Sequence, residues 1–215
     1  MRFVFFGPPG AGKGTMAVEA SSEFSLPHVS TGDLFRSAIR KRTPLGLYVK
    51  TIIDAGSLVP DQATIDLVKE RLAQPDARSG WLLDGFPRTI GQAQALSDFC
   101  PENWVIDLQV SDPVLISRLS GRRMCSGCSH SYHMVFKQPK IDGVCDACGS
   151  PLYIRDDDRE ASVRNRLLEY RSLTEPLVDY YREKGNLVMV NGEGDPKAVW
   201  ASLKQIMLDL HALKH

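Results

Sequence analysis

The sequence has no surplus of basic charge. Its 215 residues hold 26 Lys and Arg against 26 Asp and Glu, so the formal net charge is zero. Nucleic-acid domains usually carry a basic excess that neutralises phosphates, and that class loses support here. No run approaches the ~18 apolar residues of a membrane span. The opening MRFVFFGPPG lacks the longer apolar stretch and small-residue cleavage site of a signal peptide. The expectation is a cytoplasmic protein with neither a membrane nor a nucleic-acid partner. No internal repeat or low-complexity tract is present. Cysteines are few, five in all. In a reducing compartment they argue for metal rather than disulfides. The length allows one α/β domain with small insertions.

What is there begins at RFVFF, residues 2–6, a short apolar strand candidate. GPPGAGKGT follows at 7–15, and then MAVEASSEF at 16–24, which reads as a helix. Strand, glycine loop, helix is the setting of a phosphate-binding loop. Glycines let backbone N–H groups wrap a polyphosphate, and the helix start adds its positive dipole end. Lys13 would bring a point charge to the β- and γ-phosphates. Gly14 stands where the usual pattern has Ser or Thr, and the hydroxyl comes one later, at Thr15. A plain Gly/Pro turn is the competing reading, but the flanking elements and the lysine argue against it.

Further strand candidates are HVS (28–30), GWLLDG (80–85), WVIDLQV (104–110) and LVMV (187–190), with helical stretches between them. That alternation predicts a parallel five-stranded sheet with helices on both faces. Ligands bind such sheets at the carboxyl ends of the strands. STGD and DGFPRT fall there.

The cysteines form Cys-x2-Cys-x16-Cys-x2-Cys: Cys125, Cys128, Cys145 and Cys148. The spacing fits a zinc site, and four thiolates close the tetrahedron without an open position for catalysis. Iron would suit the same sulfurs. His130 and His133 flank the first pair and are read as non-ligands. Cys100, before Pro101, is given no role.

With GPPGAGKGT, STGDLFR, LLDGFPRT and GRRMC in order, the chain resembles the adenylate kinase family over about residues 1–210. The resemblance implies a P-loop nucleoside monophosphate kinase fold and transfer of a phosphoryl group from MgATP to AMP, giving two ADP. It implies a core of 1–29, 60–121 and 160–215, an AMP-binding insertion of 30–59 and a zinc lid of 122–159. Partners would be ATP, AMP and ADP, cofactors Mg2+ and a structural Zn2+, and the state a monomer. Gly10, Ala11, Gly12, Lys13, Gly14 and Thr15 would hold the ATP phosphates. Arg118, Arg122, Ser131 and Tyr132 would lie near ATP, with Gly194 giving adenine a backbone contact. Thr31, Arg36, Gly85, Phe86, Pro87, Arg88 and Gln92 would form the AMP site, with Ser57, Leu58 and Val59 adding backbone contacts. Asp84 would hold magnesium through water. Arg155 and Arg166 would close on the phosphates from the AMP side. The catalytic set is then Lys13, Asp84, Arg88, Arg122, Arg155 and Arg166. Met16 and Ser129 depart from the family, where Gln and Gly are common.

Phosphoryl transfer needs positioning, spread positive charge and exclusion of water, rather than a triad or paired acids. Arginines from five segments fit that need. Taking Val163 as zero at about 100° per residue, Arg166 falls near −60°, between Tyr170 near −20° and Leu173 near −80°. A buried arginine there needs an anion, either a phosphate or a nearby acid. Arg164, near 100°, reads as a surface charge. RDDDRE (155–160) is either a solvated run or, as the resemblance implies for Asp157 and Asp158, part of the lid closure. Two other readings stay open. One is a same-fold kinase using another nucleotide such as GTP. The other is a zinc-ribbon nucleic-acid-binding ATPase, which Asp142 and Asp146 on the lid disfavour.

Overall fold

The structure, a computed structural model, describes residues 1–128 and 130–213. The chain opens with strand β1 (Arg2–Phe6), helix α1 (Lys13–Phe24) and β2 (His28–Ser30). Helices α2 (Thr31–Arg40), α3 (Pro44–Asp54) and α4 (Asp61–Leu72) lead to β3 (Trp81–Asp84) and α5 (Ile90–Phe99). Then come β4 (Trp104–Gln109), α6 (Asp112–Ser120), and the short strands β5 (Arg122–Cys125), β6 (Ser131–His133) and β7 (Leu152–Tyr153). Helix α7 (Glu160–Glu169), a π turn (Tyr170–Thr174), α8 (Leu177–Glu183), β8 (Leu187–Asn191) and α9 (Pro196–Ala212) complete it. All five strand candidates are strands, each within one residue of the expected bounds.

The main sheet has the order β2-β3-β1-β4-β8 and is parallel throughout. Alternate residues of each strand feed opposite cores. Phe3, Phe5, Leu82, Ile106 and Leu108 pack with Met16, Ala17 and Ala20 of α1 and Leu203 and Met207 of α9. Val4, Phe6, Leu83 and Val105 pack with Val68, Leu96, Leu177 and Tyr181 on the other face. Each Val, Leu, Ile, Phe or Met among them contributes about 1.5–3 kcal/mol on burial. Met16, the departure from the family pattern, is 4% exposed and belongs to this core. Asp107 in β4 is an acid inside the second core, with its Oδ1 unpartnered and Oδ2 accepting from Gln109 Nε2. Burial pushes its carboxyl up.

Two small units interrupt this frame. Phe35, Val49 and Val59 form a cluster of their own between α2, α3 and the following loop. β6-β5-β7 form a separate antiparallel sheet around Cys125, Tyr132, Cys145 and Leu152. A core this small cannot hold its shape by burial alone.

Two expectations change. Helix α1 starts at Lys13, three residues before the expected Met16. Gly12 takes φ 97°, a left-handed conformation that glycine adopts without strain, and it turns the loop directly into the helix. The helical count through Leu173 also fails. The Glu175 N–H bonds to Tyr170 O, five residues back, and opens the π turn ahead of Pro176. Leu173 therefore emerges 41% exposed, whereas Val163 stays buried. Ser129 lies outside the described residues.

Candidate functional site

The loop after β1 and the first turn of α1 place Gly10 to Thr15 at the carboxyl end of the sheet. First-turn N–H groups of a helix lack intrahelical acceptors and attract anions. The Lys13 ammonium arches over the loop and donates to Gly7 O at 2.7 Å and Pro8 O at 2.9 Å. Lys13 is lowered to about 8: burial pushes it down, Asp84 opposes this, and Arg88, Arg166 and Arg122 add to the lowering. Asp84 ends β3 beside β1. Burial alone would raise its carboxyl, yet His28 (Nε2 at 3.6 Å) and Lys13 hold it below the usual range. A half-buried carboxylate kept charged beside a phosphate loop suits a hard cation. Arg118 Nη1 donates to Ala11 O at 3.2 Å and Nη2 to Gly192 O at 2.9 Å. It thereby ties the loop to the exposed turn that contains Gly194.

STGD builds its own helix start, since Ser30 Oγ caps α2 by accepting from Asp33 N. Thr31 Oγ1 then donates to Gly85 O at 2.7 Å, and Arg88 Nε donates to the same carbonyl at 2.8 Å. A Cβ on Gly85, at φ 79°, would meet both side chains within 3 Å. Phe86 and Pro87 are buried, Phe86 within the second core. Gln92, one turn into α5, is 1% exposed. Arg36 pairs with Asp33 at 2.7 Å. The loop with Ser57, Leu58 and Val59 is strapped to α7 through Asn165, which donates to Ala55 O and Ser57 Oγ. The Val59 side chain points into the small cluster.

The charge run at 155–160 divides. Asp156, Arg159 and Glu160 are exposed, while Arg155, Asp157 and Asp158 are buried. Asp158 accepts from Arg122 Nε at 2.7 Å and again from its Nη2, and from Arg166 Nη1 at 3.0 Å. Asp157 pairs with Arg155 and, at 3.3 Å, with Arg166. Burial would raise the Asp157 carboxyl, but Arg166 and Arg155 hold it well below the carboxylate range. Arg166 thus has the anionic partner that its buried face demands, and here the partner is an acid. Arg164 pairs with Glu160 on the surface.

The four cysteine sulfurs lie within 4.8 Å of one another. Cys125 and Cys148 are 3.3 Å apart, and Cys128 and Cys145 3.6 Å. A disulfide requires about 2.05 Å, whereas Zn–S bonds of about 2.3 Å in a tetrahedron put sulfurs ~3.8 Å apart. The donor set therefore fits a four-sulfur metal centre. Gly127 N and Cys128 N both point at Cys125 Sγ, the turn a thiolate ligand needs. Neither histidine joins the group. His133 faces Ser117 O, and its ring stacks near Phe136.

The Tyr132 ring packs inside the small antiparallel sheet, beside the cysteines. Its side chain is 3% exposed, and its hydroxyl accepts from Asp146 N at 2.7 Å and faces Cys145 Sγ at 3.4 Å. The ring belongs to the lid core, so only its backbone is left for a nucleotide. Ser131 before it is exposed. One residue missed by sequence reasoning is Asp61, which accepts from Gln92 Nε2 and Thr89 Oγ1. An Asp after Pro60 reads as an ordinary helix start, and nothing local marks it.

A glycine loop under a parallel sheet, a charged buried acid on the neighbouring strand and a basin of arginines define a P-loop nucleotide kinase. A family model described as adenylate kinase matches residues 5–186. The chain is 50% identical over 209 residues to the adenylate kinase of Methanocella arvoryzae, covering 95% of this chain and 97% of that one. It is 48% identical over 212 residues to the adenylate kinase of Bacillus subtilis, covering 96% and 98%. The chain belongs to the adenylate kinase family. Adenylate kinases are ATP:AMP phosphotransferases that use Mg2+ with ATP. Among the described residues no helix is long and apolar enough to cross a membrane.

Proposed function

We propose that this chain reversibly transfers the γ-phosphoryl group of MgATP to AMP, giving two ADP, with the roles divided as follows. The loop from Gly10 to Thr15 binds the ATP phosphates, and Lys13 follows the group in flight. Thr31, Arg36, Gly85, Arg88 and Gln92 receive AMP, helped by the backbone of 57–59. Arg122, Arg155 and Arg166 spread positive charge over the equatorial oxygens. Their forks now lie on Asp157 and Asp158, so phosphates share or displace contacts that are already formed. Asp84 would hold the magnesium through water, and the ion would supply positive charge to the phosphates. The observation that carries this reading is the Lys13 ammonium folded onto the glycine loop, donating to Gly7 O and Pro8 O, with Asp84 ending the strand next to β1.

The lid, 122–159, and the insertion, 30–59, are read as flaps on a core of 1–29, 60–121 and 160–215. Closing both would exclude water from the transfer. Cys125, Cys128, Cys145 and Cys148 would hold one structural zinc, whose binding energy would become folding energy of the lid. A cytoplasmic address suits reduced thiolates, and a monomer suits a site built from one chain. A coupled assay of ADP formation tests the whole. ADP should appear only when ATP, AMP and Mg2+ are all present. ATP hydrolysis independent of AMP would overturn the reading.

A further inference from the structure

The amide of Gln92 is only half engaged. Its Oε1 accepts the Arg88 N–H at 2.8 Å, and its Nε2 donates to Asp61 Oδ1 at 2.8 Å. A primary amide has two N–H donors and two carbonyl lone pairs. One donor and one lone pair are therefore left. That pair complements the edge of adenine, where an amino donor sits beside a ring-nitrogen acceptor. A 6-oxopurine shows the opposite order, a carbonyl acceptor beside a ring N–H. An amide rotated by a half-turn about its last bond would match that opposite order equally well. An unrestrained glutamine distinguishes the two edges poorly.

Two neighbours oppose the half-turn. The Arg88 N–H can only donate, and the Asp61 carboxylate can only accept. Rotation would set N–H against N–H at one and oxygen against oxygen at the other. Asp61 is itself fixed. Its Oδ2 accepts from Thr89 Oγ1 at 2.7 Å, and that hydroxyl accepts the Gln92 N–H at 3.2 Å as the cap of α5. Asp61 also opens α4, so the carboxylate rides on a helix end.

We propose that Asp61 is a specificity-determining positioning residue, which holds the Gln92 amide in one orientation and so makes the acceptor site read adenine and refuse a 6-oxopurine. This rests on the reading of Gln92 as the base contact of the acceptor site. Asp61 itself touches no substrate.

Inosine 5′-monophosphate is the probe, because it differs from AMP only along this edge. The quantity measured is the ratio of kcat/KM for AMP to kcat/KM for the inosine nucleotide, with ATP as donor. In Asp61→Asn the new side chain can donate or accept, and the rotated amide is then opposed at Arg88 alone. The ratio should fall about tenfold, with KM for ATP within twofold of the parent. Asp61→Glu keeps an acceptor-only group and should restore much of the ratio. An unchanged ratio in folded Asp61→Asn overturns the proposal. If that variant does not fold, Asp61→Ser keeps a helix-starting residue and is judged by the same ratio. Gln92→Ala separates the two levels. A ratio untouched by Gln92→Ala refutes the base-contact reading and the proposal with it. A ratio collapsed by Gln92→Ala but held by the Asp61 variants refutes the proposal alone.

Discussion

Replacing Asp158 with Asn should destabilise the protein and make its arginines hungrier for phosphate. The Asp158 side chain is 1% exposed and faces three guanidinium groups. Arg122 and Arg166 bond to it directly, and Arg155 Nε is 4.0 Å away. At an effective dielectric constant near 20, a unit pair 3–4 Å apart gains about 4–5 kcal/mol before desolvation is subtracted. Breaking a buried pair by removing one partner costs about 3–5 kcal/mol, because the other charge remains buried. Asn keeps the shape, but it loses the charge and turns an N–H toward an N–H. A loss of about 3 kcal/mol corresponds to a fall of roughly 6–12 °C in Tm for a domain of this size. The assay is a pair of melting curves, one with inorganic tripolyphosphate and one without. The anion should raise Tm more in Asp158→Asn than in the parent, since it takes over the vacated side of the arginines. A fall below about 1 °C would refute the buried ion-pair account. A full fall with the same anion-induced shift in both proteins would refute the link between these arginines and phosphate.

Lys13→Ala should cut kcat about a hundred- to a thousand-fold without unfolding the chain, and near-normal turnover would remove Lys13 from the transfer. The pH dependence carries the sign of its lowered pKa. Lys13 attracts phosphate only when protonated, so kcat/KM for ATP should fall as pH rises through about 8. Lys13→Arg should flatten that limb, and a profile that keeps it would assign the inflection to another group. Thr31→Ala should raise KM for AMP up to about tenfold and leave KM for ATP unmoved. Movement of the ATP constant would mean that the two sites are exchanged. The double variant Cys145→Ser/Cys148→Ser should lose one bound metal per chain, melt earlier and keep part of its turnover in the cold. Full loss of activity in a variant still folded in the cold would show that the metal does more than hold the lid.

Strands were legible because burial on both faces leaves little choice. Leu82, Leu83, Val105 and Ile106 are apolar whichever core they meet. Phosphate-loop chemistry was legible because it needs glycines and a lysine in sequence order. Other features depend on what lies opposite in space. The run of acids at 155–160 reads equally as solvated or as part of the lid closure, and only Arg122 and Arg166, arriving from elsewhere, decide that Asp158 is buried. Nothing in the SYH triplet tells that the Tyr132 hydroxyl faces Cys145. Asp61 and Gln92 are 31 residues apart, and no local pattern links them. Asp107 sits in an apolar strand and gives no sign in sequence that it is buried with one oxygen unpartnered.

The π turn at Tyr170–Thr174 works as a phase shifter. Counted as an unbroken α-helix from Val163, Leu177 and Tyr181 would return to the sector that holds Arg166. The extra residue in the turn rotates everything downstream by about 100°. Arg166 can then face the acids of the lid hinge while Leu177 and Tyr181, 0% and 1% exposed, face the sheet. The turn also lets Thr174 Oγ1 reach Arg88 O at 2.8 Å. This segment is therefore a spacer whose length matters more than its letters. Ser172 and Leu173 are exposed, and exposed Arg171 pairs with Asp112 at the start of α6. Deleting one residue would bring the two helices back into register and swap the face that meets Asp157 and Asp158 for the face that meets the core.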